Sequence, residues 1–422
     1  MKPTGRIFAL ILALIFAVSA VSCTRSDTPS GADSTFGAGR DDLSDSAVTA
    51  SPGGSTDTGD SGPVVDPNAP ETRLSFLGCG DNIVYYGNVR EAAATAGPRT
   101  YNFAPTYEFV ADRIKAADIS FINQETLMCG EGFDLSYYPT FNGPQDMGLD
   151  LVDLGFDIVG MANNHMLDKG GAGLEACIKF WKSQPVFEIG GYVSEEDFNY
   201  KVYEKDGVNI AFISYTYGTN GIVLYDGYEA YIPYLDEDTV RRQVSAAKDD
   251  PAVDLVFVSV HWGVEYQFSP SEEQQKYAQI MTDAGADVII GHHPHVIEPV
   301  EWLTAPDGTK TLCVYSLGNF IGEQSNDYSM VGGMISFDIV KKGSASWIEN
   351  PIFTPTVYYF NSNFYGNCVY LMTDFTEALA SSHGIGPAYG NYTSLARLRS
   401  YVTGCIAPEF LPDDFKAQVG ME

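Results

Sequence analysis

The chain has 422 residues, of which 45% are hydrophobic, enough to build one large folded unit. It carries 24 basic residues against 55 acidic ones, a formal net charge of −31 at pH 7. This charge argues against binding nucleic acid, and against binding an anionic membrane through a basic patch. It also repels polyanions, so a polyanionic ligand would need bridging cations or a local basic pocket.

Residues 1–23 have the pattern of a secretory signal peptide. Lys2 and Arg6 precede a short apolar run, and small residues follow it directly before Cys23. The segment resembles a bacterial lipobox, which implies cleavage before Cys23 and attachment of a diacylglycerol to its thiol. A plain signal peptide or a membrane anchor is the alternative, although the apolar run is short for a membrane span. We therefore expect an extracytoplasmic protein that is lipid-anchored to the cell membrane.

The rest of the chain divides by composition into a tether, a folded domain and an extension. Residues 24–70 are rich in Ser, Gly, Asp, Thr and Pro, and lack the apolar surface that offsets the entropy of ordering, so they are predicted to be a disordered tether. Residues 71–345 are predicted to form the main domain. Residues 346–422 begin with a segment rich in Tyr and Phe, which we expect to pack on the core and not to form a binding surface. If a disulfide forms, Cys368 and Cys405 are the candidate pair.

The main domain alternates short apolar runs with helical patterns. Continuous apolar runs of this length are typical of strands buried on both faces. The predicted strands are 74–78, 119–122, 158–161, 210–215, 255–260, 288–290, 312–316 and 334–339. The predicted helices are 107–117, 173–183, 239–248 and 271–284, the last with a capping box at its start. This alternation predicts an α/β fold with a largely parallel sheet.

Polar side chains follow these strands at the points where the strands end. Five of the six histidines fall in such segments, and ligands of α/β sheets bind beyond the carboxyl ends of the strands. Each motif alone has a structural interpretation, such as a capping aspartate or a histidine in a turn. The ordered set indicates a site instead. Its members are Asp81, Asn123, Glu125, Asn164, His165, Asp168, His261, Trp262, Glu265, His292, His293, His295 and Asn319.

The chemistry of this set indicates a metal site. Carboxylates, amide oxygens and imidazoles bind divalent ions such as Mn²⁺, Fe²⁺ and Zn²⁺, and two such ions can catalyse hydrolysis of a phosphoester or an amide. His165 is a candidate general acid or base, and Asp168 is a candidate to orient it. The predicted metal ligands are Asp81, Glu125, Asn164, His261, His293 and His295.

The motifs, in this order, resemble the CapA/PgsA family of poly-gamma-glutamate synthesis proteins. The resemblance spans about residues 74–338. Its segments are Gly80-Asp81, Asn123-x-Glu125, Asn163-Asn164-His165-x-x-Asp168-x-Gly170, His261-Trp262-Gly263-x-Glu265-Tyr266, Gly291-His292-His293-Pro294-His295 and Tyr315-Ser316-Leu317-Gly318-Asn319-Phe320.

That family in turn resembles the calcineurin-like metallophosphoesterases. The resemblance implies a sandwich of two central β-sheets flanked by helices, here with a C-terminal extension. It also implies that His165 is the proton donor and that Glu125 stands where the phosphoesterases place a bridging aspartate. The ligands that it implies are Asp81, Asn164, His261, His293 and His295.

One motif departs from the phosphoesterase pattern. That pattern has Asp-x-His in its first motif, whereas this chain has isoleucine at position 83, so a histidine ligand is missing. In the triplet, His293 and His295 satisfy the His-x-His spacing, which leaves His292 without a role. The candidate substrate contacts are Asn123, Trp262, Glu265 and Asn319, although a tryptophan at such a position more often packs.

The resemblance implies a role in making, exporting or processing poly-gamma-glutamate or a related cell-envelope polymer. The protein would act through a metal-dependent hydrolytic or transfer site, and a polymer synthase complex is a candidate partner. Two alternatives stay open, an extracellular metallophosphoesterase and a non-catalytic scaffold that binds or anchors the polymer. The sequence therefore leaves open whether the protein is an enzyme.

Overall fold

Two β-sheets organise residues 67–421, the part of the chain that the computed structural model describes. The predicted signal peptide, Cys23 and nearly all of the predicted tether lie outside these residues. The strands are β1 Glu71–Asn82, β2 Ile119–Gln124, β3 Ile158–Gly160, β4 Phe187–Ile189, β5 Lys201–Lys205, β6 Val208–Thr216, β7 Leu255–His261, β8 Val288–His292, β9 Val300–Thr304, β10 Lys310–Val314, β11 Asn319–Ile321, β12 Val331–Lys342, β13 Ala345–Tyr359 and β14 Cys368–Leu371.

Helices flank the two sheets. They are α1 Tyr86–Ala94, α2 Ala111–Ala116, α3 Gln145–Leu154, α4 Gly170–Lys182, α5 Glu237–Asp249, α6 Glu272–Asp283, α7 Glu377–Ser382, α8 Ile385–Tyr389, α9 Leu395–Cys405 and α10 Asp413–Val419. Short 3₁₀ segments occur at Ala104–Tyr107, Asp327–Met330 and Pro408–Phe410. Within residues 67–421, no helix combines the length and the apolar character needed to cross a membrane.

The first sheet is parallel on one side and antiparallel on the other, whereas the second is parallel at its centre and antiparallel at both edges. The first has the order β14-β13-β12-β1-β2-β3-β4, with β11 also paired to β1, and the second has the order β5-β6-β7-β8-β10-β9. Strands β1 to β4 run parallel, as do β6, β7, β8 and β10, whereas β12 to β14, β5 and β9 are antiparallel. The predicted α/β fold with two sheets flanked by helices is confirmed. The prediction of a largely parallel sheet is wrong for the antiparallel strands, which short apolar runs do not distinguish from parallel ones.

The core between the sheets contains a cluster of buried aromatic rings. Phe76 of β1 lies 4.6 Å from Phe337 of β12 and 5.5 Å from Phe257 of β7, measured between ring centroids. Such pairs contribute about 0.5–1.5 kcal/mol each beyond the burial of their area. They fix the first sheet against the second, and so fix the relative positions of the strand ends that carry the candidate site.

Helices cover the outer faces of the sheets because each has one apolar side. Val240 and Val244 of α5 and Ala278 and Met281 of α6 pack in one buried cluster with the outward-facing side chains of the second sheet. Helix α6 begins as predicted, since the Ser271 hydroxyl accepts from the N–H of Gln274 and the Gln274 side chain accepts from the N–H of Ser271. This reciprocal pair satisfies two otherwise unpaired N–H groups.

The predicted helix 107–117 is interrupted. A 3₁₀ turn ends at Tyr107, and α2 begins only at Ala111. The Tyr107 side chain is drawn into the core, where its hydroxyl donates to Asn82 Oδ1 at 2.7 Å. Phe109, predicted to lie on the buried face, is half exposed and stacks on Tyr370 of β14 at 4.6 Å. Contacts with distant strands therefore override the local helical pattern.

The C-terminal stretch contributes both strands and helices. Residues 346–422 include most of β13 and all of β14, which extend the first sheet, and their helices bury Leu398, Val402 and Phe415 in the core. Cys368 and Cys405, the candidate disulfide pair, are both free thiols. They bond to different parts of the chain, the carbonyl of Pro105 and the carbonyl of Ile297 respectively, so the predicted pairing is wrong.

Candidate metal centre

The carboxyl ends of strands from both sheets meet at one buried site. Asp81 lies near the end of β1, Glu125 directly follows β2, and Asn164 follows β3. From the second sheet, His261 ends β7 and His293 directly follows β8. All five side chains are almost completely buried. The structure thus brings together groups that are up to 212 residues apart in the sequence.

Glu125 occupies the centre of this site. Its Oε1 lies 3.8 Å from His165 Nε2, 3.8 Å from His261 Nε2 and 3.9 Å from His295 Nε2. Neither carboxyl oxygen has a hydrogen-bond partner among the described residues. A buried carboxyl group without partners is costly, because burial removes its hydration and nothing replaces it. A cation at this position would supply the missing partner.

Asp81 is held by donors on two sides. Asn123 Nδ2 donates to its Oδ1 at 2.8 Å, and the backbone N–H of His293 donates to its Oδ2 at 3.1 Å. His292 Nδ1 lies 3.3 Å from Oδ1, and His295 Nδ1 lies 3.6 Å from Oδ2. Asn123 is buried and positions Asp81, and its predicted contact with substrate stays a prediction.

The loop after β8 is strained where it carries the histidines. His293 has φ 101° and His295 has φ 56°, both in the left-handed region that residues other than glycine rarely adopt. Such backbone costs about 1–3 kcal/mol per residue and is concentrated at functional sites. Pro294 stabilises the loop by accepting the N–H of Tyr266 at 2.8 Å. With this backbone conformation, both imidazoles point toward the other candidate metal ligands.

Asn319 supports the same loop. Its Oδ1 lies 3.0 Å from His295 Nδ1, and its Nδ2 donates to the carbonyl of Ser329 at 3.0 Å. It is about 1% exposed. These bonds orient the imidazole of His295, and the predicted contact of Asn319 with substrate stays a prediction.

The donor set fits a divalent metal. One ligand atom from each of Asp81, Glu125 and His261 lies within 4.8 Å of the others, and Glu265, His293 and His295 form a second such group. The ring nitrogens His261 Nδ1 and His293 Nδ1 are buried without hydrogen-bond partners inside residues 67–421. Carboxylates and imidazoles in this mixture suit Mn²⁺, Fe²⁺ or Zn²⁺. Glu265, predicted to contact substrate, is placed here as a candidate ligand.

Asn164 completes the ligand set predicted from the sequence. Its Oδ1 lies 2.9 Å from His261 Nε2, the same ring nitrogen that approaches Glu125. Its Nδ2 donates to Asn220 Oδ1 at 3.2 Å, which fixes the amide so that its oxygen faces the histidine. The amide oxygen, the carboxyl group and the imidazole therefore converge on one point.

The two carboxyl groups have opposite pKa shifts. Burial raises the pKa of Glu125 well above its ordinary value, and the charge of Asp81 raises it further. Burial also acts to raise the pKa of Asp81, but the imidazoles of His292 and His295 outweigh this and hold it well below its ordinary value. Asp81 is therefore the more acidic of the two carboxyl groups.

The pKa values of the imidazoles also shift in opposite directions. Burial lowers the pKa of His261 well below its ordinary value, and burial with the charge of His295 lowers the pKa of His293 to about 3. Burial opposes protonation of His295 as well, but Glu125 and Asp81 raise its pKa to about 9. His261 and His293 are thus neutral at pH 7, the form that binds metal, whereas His295 would release a proton on binding.

His165 is held differently from the other histidines. Its Nδ1 lies 2.7 Å from Asp168 Oδ2, and the same oxygen accepts the N–H of Phe141 at 2.6 Å. The ring of Phe141 meets the imidazole edge-on at 4.7 Å. This pairing leaves Nε2 directed toward Glu125. The geometry suits a group that holds a proton at Nε2 while Asp168 fixes its orientation.

Trp262 lies on the other face of the second sheet. It is about 1% exposed, and its Nε1 donates to the carbonyl of Tyr315 at 2.9 Å. Successive residues of a strand point to opposite faces, so the residue after the inward-facing His261 points outward. Trp262 therefore packs on this face, and its contact with substrate stays a prediction.

Three residues near the centre had no role in the sequence prediction. His292 brings an imidazole to Asp81, whereas position 83, where the phosphoesterase pattern has histidine, is a buried isoleucine. The ring of Tyr217 lies 4.6 Å from that of His293, and Asn220 bonds to Asn164. Strand alternation could have indicated His292, because Ile290, two residues earlier, faces Gly78 of the first sheet.

Comparison with known proteins identifies the family of the chain. The family model for the bacterial capsule synthesis protein PGA_cap matches residues 75–324, more than half of the chain. The chain belongs to this family. The match begins in β1 and ends shortly after β11, so it contains every candidate metal ligand. The resemblance to the CapA/PgsA family is confirmed.

Individual relatives show the extent of the similarity. The chain is 33% identical over 205 residues to the PGA biosynthesis protein CapA of Bacillus subtilis (strain 168), covering 48% of this chain and 52% of the relative. It is 32% identical over 196 residues to the capsule biosynthesis protein CapA of Bacillus anthracis, covering 46% of each. The chain thus spans about half the length of these curated relatives.

Two solved structures match the chain at low similarity. The calcineurin-like phosphoesterase YfkN from Bacillus subtilis is 12% identical, with a TM-score of 0.38, covering 79% of this chain and 97% of that one. The sulfate thiohydrolase SoxB of Thermus thermophilus is also 12% identical, with a TM-score of 0.36, covering 78% of this chain and 59% of that one.

Proposed function

We propose that the protein is a metal-dependent hydrolase or transferase that acts on poly-gamma-glutamate or a related cell-envelope polymer. The observation that carries the proposal is the buried Glu125 carboxyl group, without hydrogen-bond partners in the described chain and surrounded by three imidazole nitrogens at 3.8–3.9 Å. A purely structural carboxyl group would be paired. Membership of a capsule synthesis family supports the polymer as substrate.

The roles of the residues follow from their contacts. Asp81, Glu125, Asn164, His261, His293 and His295 would hold one or two divalent ions, with Glu265 as a further candidate. A metal bound there supplies Lewis-acid polarisation of the group to be cleaved. In hydrolysis, water attacks the polarised group, and His165 in its imidazolium form, with Nδ1 held by Asp168, gives its Nε2 proton to the leaving atom as the bond to that atom breaks. Asn123 and Asn319 keep Asp81 and His295 in position.

Removing the metal from the purified full-length protein is the direct test. We expect a chelator to abolish hydrolysis and Mn²⁺ or Zn²⁺ to restore it. Because the charge of −31 repels a polyanion, binding of poly-gamma-glutamate should also fail in chelator. Metal content would be measured by mass spectrometry, polymer length by gel filtration, and phosphoester hydrolysis with a nitrophenyl ester.

The outcomes separate the alternatives. Cleavage of the phosphoester but not of the polymer would favour an extracellular metallophosphoesterase. Metal-independent polymer binding without turnover of either substrate would contradict the proposal and favour a scaffold.

We further propose that the protein is anchored outside the cytoplasm through a lipid on Cys23. The support is the lipobox-like sequence before this residue and the polar stretch after it. Cys23→Ser is expected to move the protein from the membrane fraction to the soluble fraction, or to leave it unprocessed, as followed by immunoblot. Cys368→Ser is the control and should change neither the processing of the protein nor its membrane association. Normal processing and membrane association of Cys23→Ser would contradict lipidation.

A further inference from the structure

A cavity of about 620 Å³ opens beside the candidate metal centre, and none of the roles proposed above uses it. Six tyrosines contribute to its wall, and Tyr86 and Tyr138 are the most exposed of them, at 59% and 76%. Exposed aromatic rings are costly in water unless they serve a contact, and a cluster of them around a concavity marks a binding surface. The tyrosines are Tyr85, Tyr86, Tyr137, Tyr138, Tyr266 and Tyr389.

Two chains of contacts connect this cavity to the metal centre. The ring of Tyr266 lies 6.1 Å from that of His295. Gln324, in the cavity wall, accepts a hydrogen bond from Asn319 Nδ2 at 3.1 Å, and Asn319 in turn contacts His295. A polymer in the cavity would therefore extend directly toward the reacting groups.

A third chain of contacts leads to the candidate proton donor. The ring of Tyr85 lies 5.3 Å from that of Phe141, which meets His165 edge-on at 4.7 Å. The cavity is thus flanked by both functional parts of the site, the ligands and the acid.

Glu323 is a buried polar side chain in the cavity wall. It is 6% exposed, and its Oε2 accepts the N–H of Gly87 at 3.1 Å, whereas its Oε1 has no partner within residues 67–421. A side chain at position 87 would collide with this carboxyl group, because a Cβ there would lie 2.0 Å from Oε1. Glycine therefore allows Glu323 to lie in the wall, with one carboxyl oxygen fixed and the other buried without a hydrogen-bond partner among residues 67–421.

The charges of the wall disfavour both an anionic and a cationic ligand. Arg90, a cation of the wall, donates to the carbonyls of Asn363 and Phe364 and lies 4.4 Å from the centroid of the Tyr365 ring. These acceptors are neutral carbonyls, so the guanidinium keeps its positive charge. Arg90 and Glu323 are the two charged side chains among the residues that line the cavity, so the wall has no excess of one sign to attract a polyanion or a polycation.

We propose that this tyrosine-lined cavity binds an uncharged sugar ring of an envelope polymer. Tyrosine faces pack on the C–H face of a sugar, while the phenol groups, Gln324 and Glu323 Oε1 bond to its hydroxyls. Burial raises the pKa of Glu323 to about 7, so near neutral pH the group can accept or donate such a bond. The inference selects, from the two substrates named in the proposed function, the related envelope polymer in place of poly-gamma-glutamate, and rests on that function only in taking the metal centre as the reacting site.

Calorimetric titration of the full-length protein with a tetramer of N-acetylglucosamine tests the inference. We expect binding, and we expect Tyr138→Leu to raise the Kd about threefold to tenfold, the effect of losing one aromatic contact. Tyr225→Leu is the matched control, because Tyr225 is equally exposed and does not line the cavity. Glu323→Gln, which keeps the shape of the side chain, should also weaken binding. Metal content should be unchanged in all three variants.

Parallel titrations with oligo-gamma-glutamate and with choline cover the other ligand classes. Binding of either one, in place of the sugar and weakened by Tyr138→Leu, would overturn the inference, as would sugar binding that Tyr138→Leu and Glu323→Gln leave unchanged. Absence of sugar binding would overturn it too, while metal-dependent hydrolysis would still support the proposed function. Sugar binding with the expected variant effects but without hydrolysis would sustain the cavity and count against the proposed function.

Discussion

Asp81→Ala is expected to release the metal and to reduce hydrolysis to background. The variant removes an ionised carboxylate whose two oxygens are oriented by Asn123 and by the backbone of His293. Loss of an outer-shell partner typically weakens metal binding 10- to 100-fold, so loss of a direct ligand should exceed about 100-fold. Metal per chain and turnover would be measured on the same preparation.

Two further variants make the result specific. Asp81→Asn keeps the shape of the side chain and removes its charge, so it tests ligation without opening a cavity in the core. Asp414→Ala removes an exposed aspartate far along the chain and should retain full metal content and activity. If Asp81→Ala and Asp81→Asn both bind metal like the wild-type protein, Asp81 is not a ligand and the assignment of this centre is wrong.

The convergence of the site was predictable because the strands are short and buried on both faces. A continuous apolar run such as β7 or β8 shows where a strand ends, and the following polar residue must then lie at the carboxyl edge. The metal ligands predicted from the sequence come together on this basis. Their distances depend on how the two sheets pack, which is fixed by distant aromatic contacts such as Phe76 with Phe257.

The roles within the site were less predictable than its location. Asn123 and Asn319 were candidate substrate contacts because they are polar and adjacent to ligands, but both are buried and bonded to ligand side chains. His292 was set aside because the His-x-His spacing was already satisfied. Sequence spacing does not show which imidazole faces Asp81, whereas the pleat of β8 decides it.

The tyrosine-lined cavity could not be predicted from the sequence. Its wall combines Tyr86 with Tyr138, Tyr266 and Tyr389, which are up to about 300 residues apart and belong to four separate segments. No periodicity connects them. The Tyr- and Phe-rich stretch after residue 350 was expected to pack, and it does so in β13, while Phe364 also lines the cavity.

His165→Ala is expected to keep the metal and to lower turnover about 10²- to 10⁴-fold, the usual contribution of a general acid or base. This loss corresponds to about 3–5 kcal/mol of transition-state stabilisation. His165 Nδ1 is engaged by Asp168, and only Nε2 faces the cluster, so removing the ring deletes a proton donor without deleting a central ligand. Metal content and turnover would be compared with those of Asp81→Ala.

The leaving group distinguishes a proton donor from a ligand. A leaving atom that departs readily without a proton does not need His165, so the loss in His165→Ala should shrink with such a substrate. Asp168→Asn should show a smaller loss with the same dependence, because it leaves the imidazole in place but weakens its orientation. A His165→Ala variant that loses its metal would instead make His165 a ligand. If His165→Ala lowered turnover equally for good and poor leaving groups, His165 would not be the proton donor. Protonation of the leaving group would then limit neither reaction.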